Sequence, residues 1–114
     1  MGLRYSVFID SDHHKGATFG CAYCKTHLSS STLVISKDYR GKTGDAYLMD
    51  QVVNIIQGKK VHRQMITGRY LVSDIMCHQC GHCVGWKYHK SDVKNQKYKE
   101  GKYILEVALI AQCK

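Results

Sequence analysis

Two cysteine pairs in the chain have the spacing of a metal-binding turn. Cys21 and Cys24 are separated by two residues, and Cys77 and Cys80 repeat that spacing. In such a turn both thiolates point towards one ion, and two turns complete a closed tetrahedral site of four sulfurs. The pattern therefore predicts one structural Zn²⁺ ion, bound by all four cysteines. Because 52 residues separate the pairs, the ion would join the N-terminal and C-terminal parts of the domain.

The surplus of soft ligands around these pairs raises two alternatives. A catalytic zinc would keep an open position and would use His27, His78 or His82 in place of a cysteine. A redox role of the thioredoxin kind would use one pair alone. Four cysteines would close the site to water, no nucleophile–base pair can be named, and no βαβ pattern accompanies the pairs. We therefore predict that the chain is not an enzyme.

The remaining histidines and cysteines near the pairs are given other roles. His78 and His82 are expected to be exposed bystanders in the second turn. Cys83 is expected to be a small buried residue where a strand begins, and Cys113 a free thiol. His27 keeps two alternatives, a hydrogen-bond donor to the metal site or an ordinary turn residue.

The segments that must position the cysteines have the pattern of β-strands. Glycines punctuate the chain at intervals of about ten residues, and runs rich in Val, Ile and Tyr lie between them. These runs predict an antiparallel meander and include 32–36, 71–76 and 103–110. The last run is predicted to be one strand, because Tyr103, Leu105, Val107 and Leu109 alternate along it. The segment 45–56 also has helical spacing, but its β-branched content favours two strands with a bend near Asp50.

Size and charge limit the functional classes. The chain has 114 residues and a formal net charge of +8, which fits one basic domain. We expect an N-terminal arm over residues 1–16 and a folded domain over 17–114. Lys and Arg are scattered except in 90–102, so a solvated basic surface is the favoured interpretation and nucleic acid is a less favoured partner.

No membrane partner is expected. No apolar run approaches 18 residues, and no secretory signal is evident. Gly2 and Ser6 fit the pattern for N-myristoylation, but one acyl chain alone binds membranes only marginally.

The cysteine pattern and the stretches around it resemble the Yippee-like family. The resemblance covers residues 18 to 107. It rests on the 52-residue gap together with these stretches: CKTHLSS (24–30), ISKDYRGKTGDAYL (35–48), VVNI (52–55), ITGRYLVSDI (66–75), GWKY (85–88) and QKYKEGK (96–102). The N-terminal stretch MGLRYS is most similar to the yeast member of the family. The fold it implies is all-β, a β-tent of two antiparallel sheets pinned by the four-cysteine zinc site. It further implies a non-enzymatic protein of the nucleus and cytoplasm, with subunits of a GID/CTLH-type ubiquitin ligase as partners.

The resemblance also implies a ligand pocket around Trp86. In the related imide-binding domain of cereblon, one tryptophan of an aromatic cage follows the last zinc cysteine by six residues, as Trp86 does here. The other two cage positions fall near Ile66 and Val72, which are aliphatic, so a complete cage is not expected. Tyr70 and Tyr88 are the residues that would widen such a pocket. Trp86 keeps two alternatives, a pocket wall or a core residue, and the core is favoured. Three functions stay open: a protein-interaction module, a reader of a small ligand or modified peptide, and a nucleic-acid binder.

Overall fold

The fold consists of two antiparallel β-sheets, which confirms the predicted all-β class. The computed structural model describes residues 16–113, so Gly2 and nearly all of the predicted arm lie outside the described residues. The strands are β1 (Thr18–Cys21), β2 (His27–Ser30), β3 (Val34–Gly41), β4 (Gly44–Met49), β5 (Ile55–Gln57), β6 (Val61–Met65), β7 (Gly68–Cys77), β8 (Cys83–Ser91), β9 (Tyr103–Glu106) and β10 (Ile110–Cys113). Short 3₁₀ turns occupy Ser31–Leu33, Lys94–Lys99 and Val107–Leu109.

The small sheet has the strand order β10-β1-β2, and the large sheet has the order β3-β4-β9-β8-β7-β5. The strand β6 joins the large sheet on the same edge of β7 as β5 does, further towards the beginning of β7. Neighbours in the sequence form the hairpins β3–β4 and β7–β8, as a meander requires. The pairing of β4 with β9 is different, because Tyr47 lies opposite Leu105 across a long stretch of chain. This pair joins the β3–β4 hairpin to the rest of the large sheet.

Hydrophobic side chains cover both faces of the large sheet. Successive residues of a strand point to opposite faces. On β9, Leu105 therefore contributes to one apolar cluster and Ile104 to the other. The first cluster includes residues of both sheets: Cys21, Leu28, Met49, Val52, Ile75, Cys77, Val84 and Leu105. The second lies on the opposite face of the large sheet: Ala46, Leu48, Tyr70, Val72, Trp86, Tyr88 and Ile104.

The C-terminal run departs from its prediction as a single strand. Strand β9 ends at Glu106, a 3₁₀ turn follows, and β10 enters the other sheet. The alternation identified the buried side correctly, since Tyr103, Leu105 and Leu109 all belong to or pack on the first cluster. A period of two cannot show where a chain changes sheets. The prediction for 45–56 is confirmed, because β4 ends at Met49 and β5 begins at Ile55.

None of the helical segments in the described part of the chain is long and apolar enough to span a membrane.

Gly85, in the middle of β8, provides a test of the packing between β8 and β9. A Cβ atom at this position would overlap the backbone carbonyl of Ile104, which the sheet holds in place. We expect Gly85→Ala to destabilise the protein by about 3 kcal/mol. Gly58→Ala is the matched control, because its added Cβ would meet its nearest neighbour at an ordinary 3.4 Å. Urea unfolding of both variants measures the effect, and equal shifts would contradict this packing.

Candidate metal centre and aromatic pocket

The four predicted cysteine ligands converge at the junction of the two sheets. Their sulfur atoms all lie within 4.8 Å of one another. The Sγ atoms of Cys21 and Cys80 are 3.5 Å apart, as are those of Cys24 and Cys77. With Zn–S bonds of about 2.3 Å, a regular tetrahedron has sulfurs about 3.8 Å apart. Four thiols at this spacing fit one zinc ion.

The two cysteine turns have the same backbone geometry. In the first, Cys21 N–H donates to the Thr26 carbonyl (2.9 Å) and Lys25 N–H donates to the Cys21 carbonyl (2.8 Å). In the second, Cys77 donates to His82 (2.9 Å) and Gly81 to Cys77 (2.9 Å). Gly81 has a φ of 81°, which glycine adopts freely, whereas Lys25 adopts 65° at the equivalent position. Each turn therefore presents two sulfurs to the same point.

Side chains at equivalent positions of the two turns contact the exposed sulfurs. The Thr26 hydroxyl lies 3.1 Å from Cys24 Sγ, and His82 Nδ1 lies 3.3 Å from Cys80 Sγ. The His82 ring also stacks on Tyr23 of the other turn, with centroids 3.6 Å apart and planes 5° from parallel. The prediction that His82 is a bystander is therefore wrong, although the residue is exposed as expected. The roles of Thr26 and Tyr23 were not predicted, because they depend on the way in which the fold brings the two turns together.

The surroundings shift the pKa of three of the clustered thiols. Burial raises the pKa of Cys21, and it raises that of Cys80 to about 12. Burial acts in the same direction on Cys24, but hydrogen bonds from the side chain and backbone of Thr26 lower its pKa to about 7. The thiols of Cys21 and Cys80 therefore stay protonated unless a positive charge lies beside them. A metal ion supplies that charge and displaces the protons.

Other residues near the turns occupy separate positions. Cys83 begins β8 as predicted but is exposed, so the expectation of a buried residue is wrong. His78 is half-buried, and its N–H donates to the Asn54 carbonyl (2.9 Å). His27 begins β2, and its carbonyl accepts from the Asn54 side chain (2.7 Å). Cys113 is a free thiol, as predicted.

A cavity of about 750 Å³ lies on the face of the large sheet that carries the second cluster. Its walls come from β3, the β6–β7 hairpin, β8 and the turn Lys94–Lys99. Of the predicted pocket residues, Trp86, Tyr88 and Ile66 line it. Tyr70 is fully buried behind the lining, and Val72 belongs to the cluster beneath it. Aromatic rings absent from the prediction, those of Tyr39 and Tyr98, complete the walls.

Lys99 occupies the centre of the aromatic rings. Its side chain is 2% exposed, and its Nζ donates to Thr67 Oγ1 (3.1 Å) and to the Tyr70 hydroxyl (3.0 Å). The ammonium also lies 5.0 to 5.8 Å from the ring centroids of four tyrosines: Tyr39, Tyr70, Tyr88 and Tyr98. Such distances allow cation–π attraction. Sequence patterning missed this residue, because a lysine in a basic stretch is ordinarily solvated.

Two of the tyrosines around Lys99, Tyr39 and Tyr88, remain neutral at physiological pH. Burial, reinforced by a hydrogen bond with Tyr98, raises the pKa of Tyr39 far above its ordinary value. Burial also raises the pKa of Tyr88 to about 12, an effect that the nearby Trp86 indole N–H partly offsets. That N–H lies outside hydrogen-bond geometry, so Trp86 Nε1 is buried without an acceptor. Gln96 Oε1, which also lines the cavity, is buried without a donor.

Comparison with known proteins places the chain in a family. A family described as "Yippee zinc-binding/DNA-binding /Mis18, centromere assembly" matches residues 17–114. The chain belongs to the Yippee-Mis18 family. A yippee-like protein of Arabidopsis thaliana is 52% identical over 92 residues, covering 81% of this chain and 72% of the relative. Human protein yippee-like 3 is 40% identical over 103 residues, covering 90% of this chain and 84% of the relative.

The Yippee-Mis18 assignment agrees with a solved structure. The crystal structure of a Mis18 "Yippee-like" domain superimposes with a TM-score of 0.67, covering 87% of this chain and 96% of that one. Its identity of 13% makes this a statement about the fold alone.

The contact between Ser73 and His89 resembles the Ser–His pair of a hydrolase active site. Ser73 Oγ lies 2.6 Å from His89 Nε2. Burial, and then the charges of Lys60 and Lys87, lower the pKa of His89 and keep its ring neutral. Ser73 is fully buried, and neither residue lines the cavity described above. In this arrangement the hydroxyl is inaccessible to a substrate.

The cysteine cluster yields a direct test of the metal assignment. We expect Cys77→Ser to abolish binding of the one zinc ion per chain and to unfold much of the domain, because structural zinc contributes on the order of 10 kcal/mol. Cys83→Ser makes the same chemical change six residues later and should retain zinc and melting temperature. Metal content by mass spectrometry and thermal melting are the measurements. Full zinc occupancy in Cys77→Ser would refute the assignment.

Proposed function

We propose that the chain is a zinc-stabilised binding module without catalytic activity, which recognises a protein partner through the aromatic pocket. The observation that carries the proposal is the pocket itself. It is about 750 Å³ in volume, is lined by Trp86 and Tyr88, and contains buried polar groups that lack partners. Concave apolar sites with a few polar groups are the usual form of a ligand site.

The zinc ion has a structural role in this proposal. Four thiolates leave no open coordination position, so the ion binds no water that could be activated. Its function is to hold the two sheets together at the end of β7 that lies away from the pocket.

An exposed apolar residue at the edge of the pocket supports recognition of a protein. Ile66, at the tip of the β6–β7 hairpin, has a relative exposure of 105% and lines the cavity. Tyr98 is exposed on the opposite wall. Apolar and aromatic side chains at the mouth of a pocket favour contact with another protein. Subunits of a GID/CTLH-type ligase, in the nucleus and cytoplasm, are the partners that the family resemblance suggests.

DNA is the second candidate partner. The family description names DNA binding, and the chain has a formal net charge of +8. The longest helical segment in the described residues is a six-residue 3₁₀ turn, which is too short for a recognition helix. Binding would therefore rest on phosphate contacts and would weaken steeply with salt.

The role of the pocket in partner binding can be tested at Ile66. We expect Ile66→Ser to reduce capture of pocket-dependent partners from cells, because it removes an exposed apolar contact at no cost in folding. Ile56→Ser is the matched control, since Ile56 is also exposed but lies on β5 outside the pocket. Quantitative co-purification at native abundance is the measurement. Identical partner sets for both variants would contradict the role of the pocket. The absence of ligase subunits from both sets would contradict the proposed ligase partner.

The DNA alternative is tested by the affinity for a random duplex between 50 and 200 mM salt, a range over which six or more phosphate contacts weaken binding by about a thousandfold. We expect only weak binding without sequence preference. Tight binding that survives 200 mM salt would favour DNA over a protein partner.

A further inference from the structure

Lys99 presents an unusual charge arrangement. Lysines are almost never fully buried unless they are paired with an anion. No carboxylate of the described residues lies within 4.0 Å of Lys99 Nζ, whereas four other side-chain ion pairs do meet that distance: Arg40–Asp45, Arg63–Asp74, Lys97–Glu100 and Lys102–Asp50. Burial keeps Tyr39 and Tyr88 neutral. Within the described residues, only hydroxyls and aromatic faces therefore solvate this buried positive charge.

The aromatic rings thus already contain a cation. A pocket of this composition would ordinarily suggest a ligand with an ammonium group, such as a methylated lysine. Here the Lys99 ammonium lies over the same ring faces and would repel a second positive charge. The other charged residues of the lining do not offset this repulsion, because Arg40 and Arg63 are paired with Asp45 and Asp74 and the carboxylate of Asp38 is matched by Lys42.

Polar groups that lack hydrogen-bond partners indicate what else the ligand must contain. A lysine ammonium has three N–H donors, and two of these have acceptors in Thr67 and Tyr70. The Trp86 side chain is 7% exposed, and its indole N–H is a second donor without an acceptor. A carboxylate has two oxygens and can accept more than one hydrogen bond. The Gln96 oxygen remains as an acceptor for a ligand N–H or O–H.

We propose that the pocket binds a carboxylate carried on an apolar or aromatic body, with Lys99 as its counter-ion and Trp86 as a second hydrogen-bond donor. The inference rests on the proposed function, because it takes the pocket as the binding site. A single buried cation matches a singly charged carboxylate. A phosphate dianion would leave a negative charge among apolar walls.

The simplest test uses benzoate, benzamide and benzylammonium, which share an aromatic body and differ in charge. Trp86 is the chain's only tryptophan, so its fluorescence reports binding directly. At constant ionic strength we expect saturable binding of benzoate, binding of benzamide at least about tenfold weaker, and no binding of benzylammonium. Equal binding of benzoate and benzamide, preference for benzylammonium, or no saturation by benzoate up to about 10 mM would overturn the inference.

A variant of Lys99 tests the assigned counter-ion. Lys99→Met keeps the length of the side chain and removes its charge, and the hydroxyls of Thr67 and Tyr70 stay bonded to each other. We expect benzoate affinity to fall about 30-fold or more. Lys59→Met changes the net charge equally at an exposed position outside the pocket and should leave affinity unchanged.

Stability separates a binding role of Lys99 from a structural one. The two hydroxyls and the ring faces offset only part of the cost of burying the Lys99 ammonium, so Lys99→Met should melt at the same temperature as the wild type or higher, with one zinc per chain. A much lower melting temperature would assign the ammonium to folding and overturn its role as an unpaired counter-ion. The benzoate–benzamide comparison needs no variant and remains decisive in that case.

Competition with peptides shows which kind of molecule carries the carboxylate. One pair ends in phenylalanine as the free acid or the amide, and a second amidated pair carries an internal Glu or Gln. Displacement of benzoate by the free acid or by the Glu peptide identifies a protein terminus or an acidic side chain as the ligand. Displacement by neither, with benzoate still bound, identifies a small free carboxylate. Pocket-dependent capture by Ile66 variants is measured separately, so a failure of the carboxylate inference leaves the binding-module proposal to its own test.

Discussion

The convergence of four sulfurs at the junction of the sheets is the constraint on which the rest of the structure depends. The small sheet has three strands of four residues each, too little to be stable by itself. It is connected to the large sheet through the first cluster and through the cysteine turns that follow β1 and β7. Since Cys21 and Cys80 stay protonated without a nearby cation, a metal ion bound here and this connection between the sheets would depend on each other.

Anchoring at one face of the large sheet leaves the other face available. The small sheet covers the first cluster. Among residues 16–113, the second cluster is covered by β3, the β6–β7 hairpin and the turn Lys94–Lys99. The cavity lies where this cover is incomplete. Strand β7 connects the two regions, with Cys77 at one end and Tyr70 roughly 20 Å away at the other. The metal site can therefore support the pocket without taking part in binding.

Local signals in the sequence predicted the local features well. The spacing of the cysteines predicted a cluster that the structure brings together, although the identity of the metal as zinc stays a prediction. The β-branched runs predicted the strands, and the bend near Asp50 is confirmed. The features that sequence patterning missed are non-local. The β4–β9 pair, the change of sheet after Glu106 and the contact of His82 with Tyr23 each depend on segments that are distant in sequence.

Lys99 is a second kind of residue that sequence patterning did not single out, and the structure places it in the lining of the pocket. In the sequence it lies among lysines of a polar stretch, and nothing in its neighbourhood indicates burial. The 3₁₀ turn Lys94–Lys99 directs it inward, where four tyrosines meet it from β3, β7, β8 and the turn itself. A buried, unpaired ammonium costs free energy, whereas a structural zinc site contributes on the order of 10 kcal/mol. A fold held together at the metal end can therefore retain a destabilising cation in the pocket, and an arrangement with that cost is best explained by the anion that it would bind.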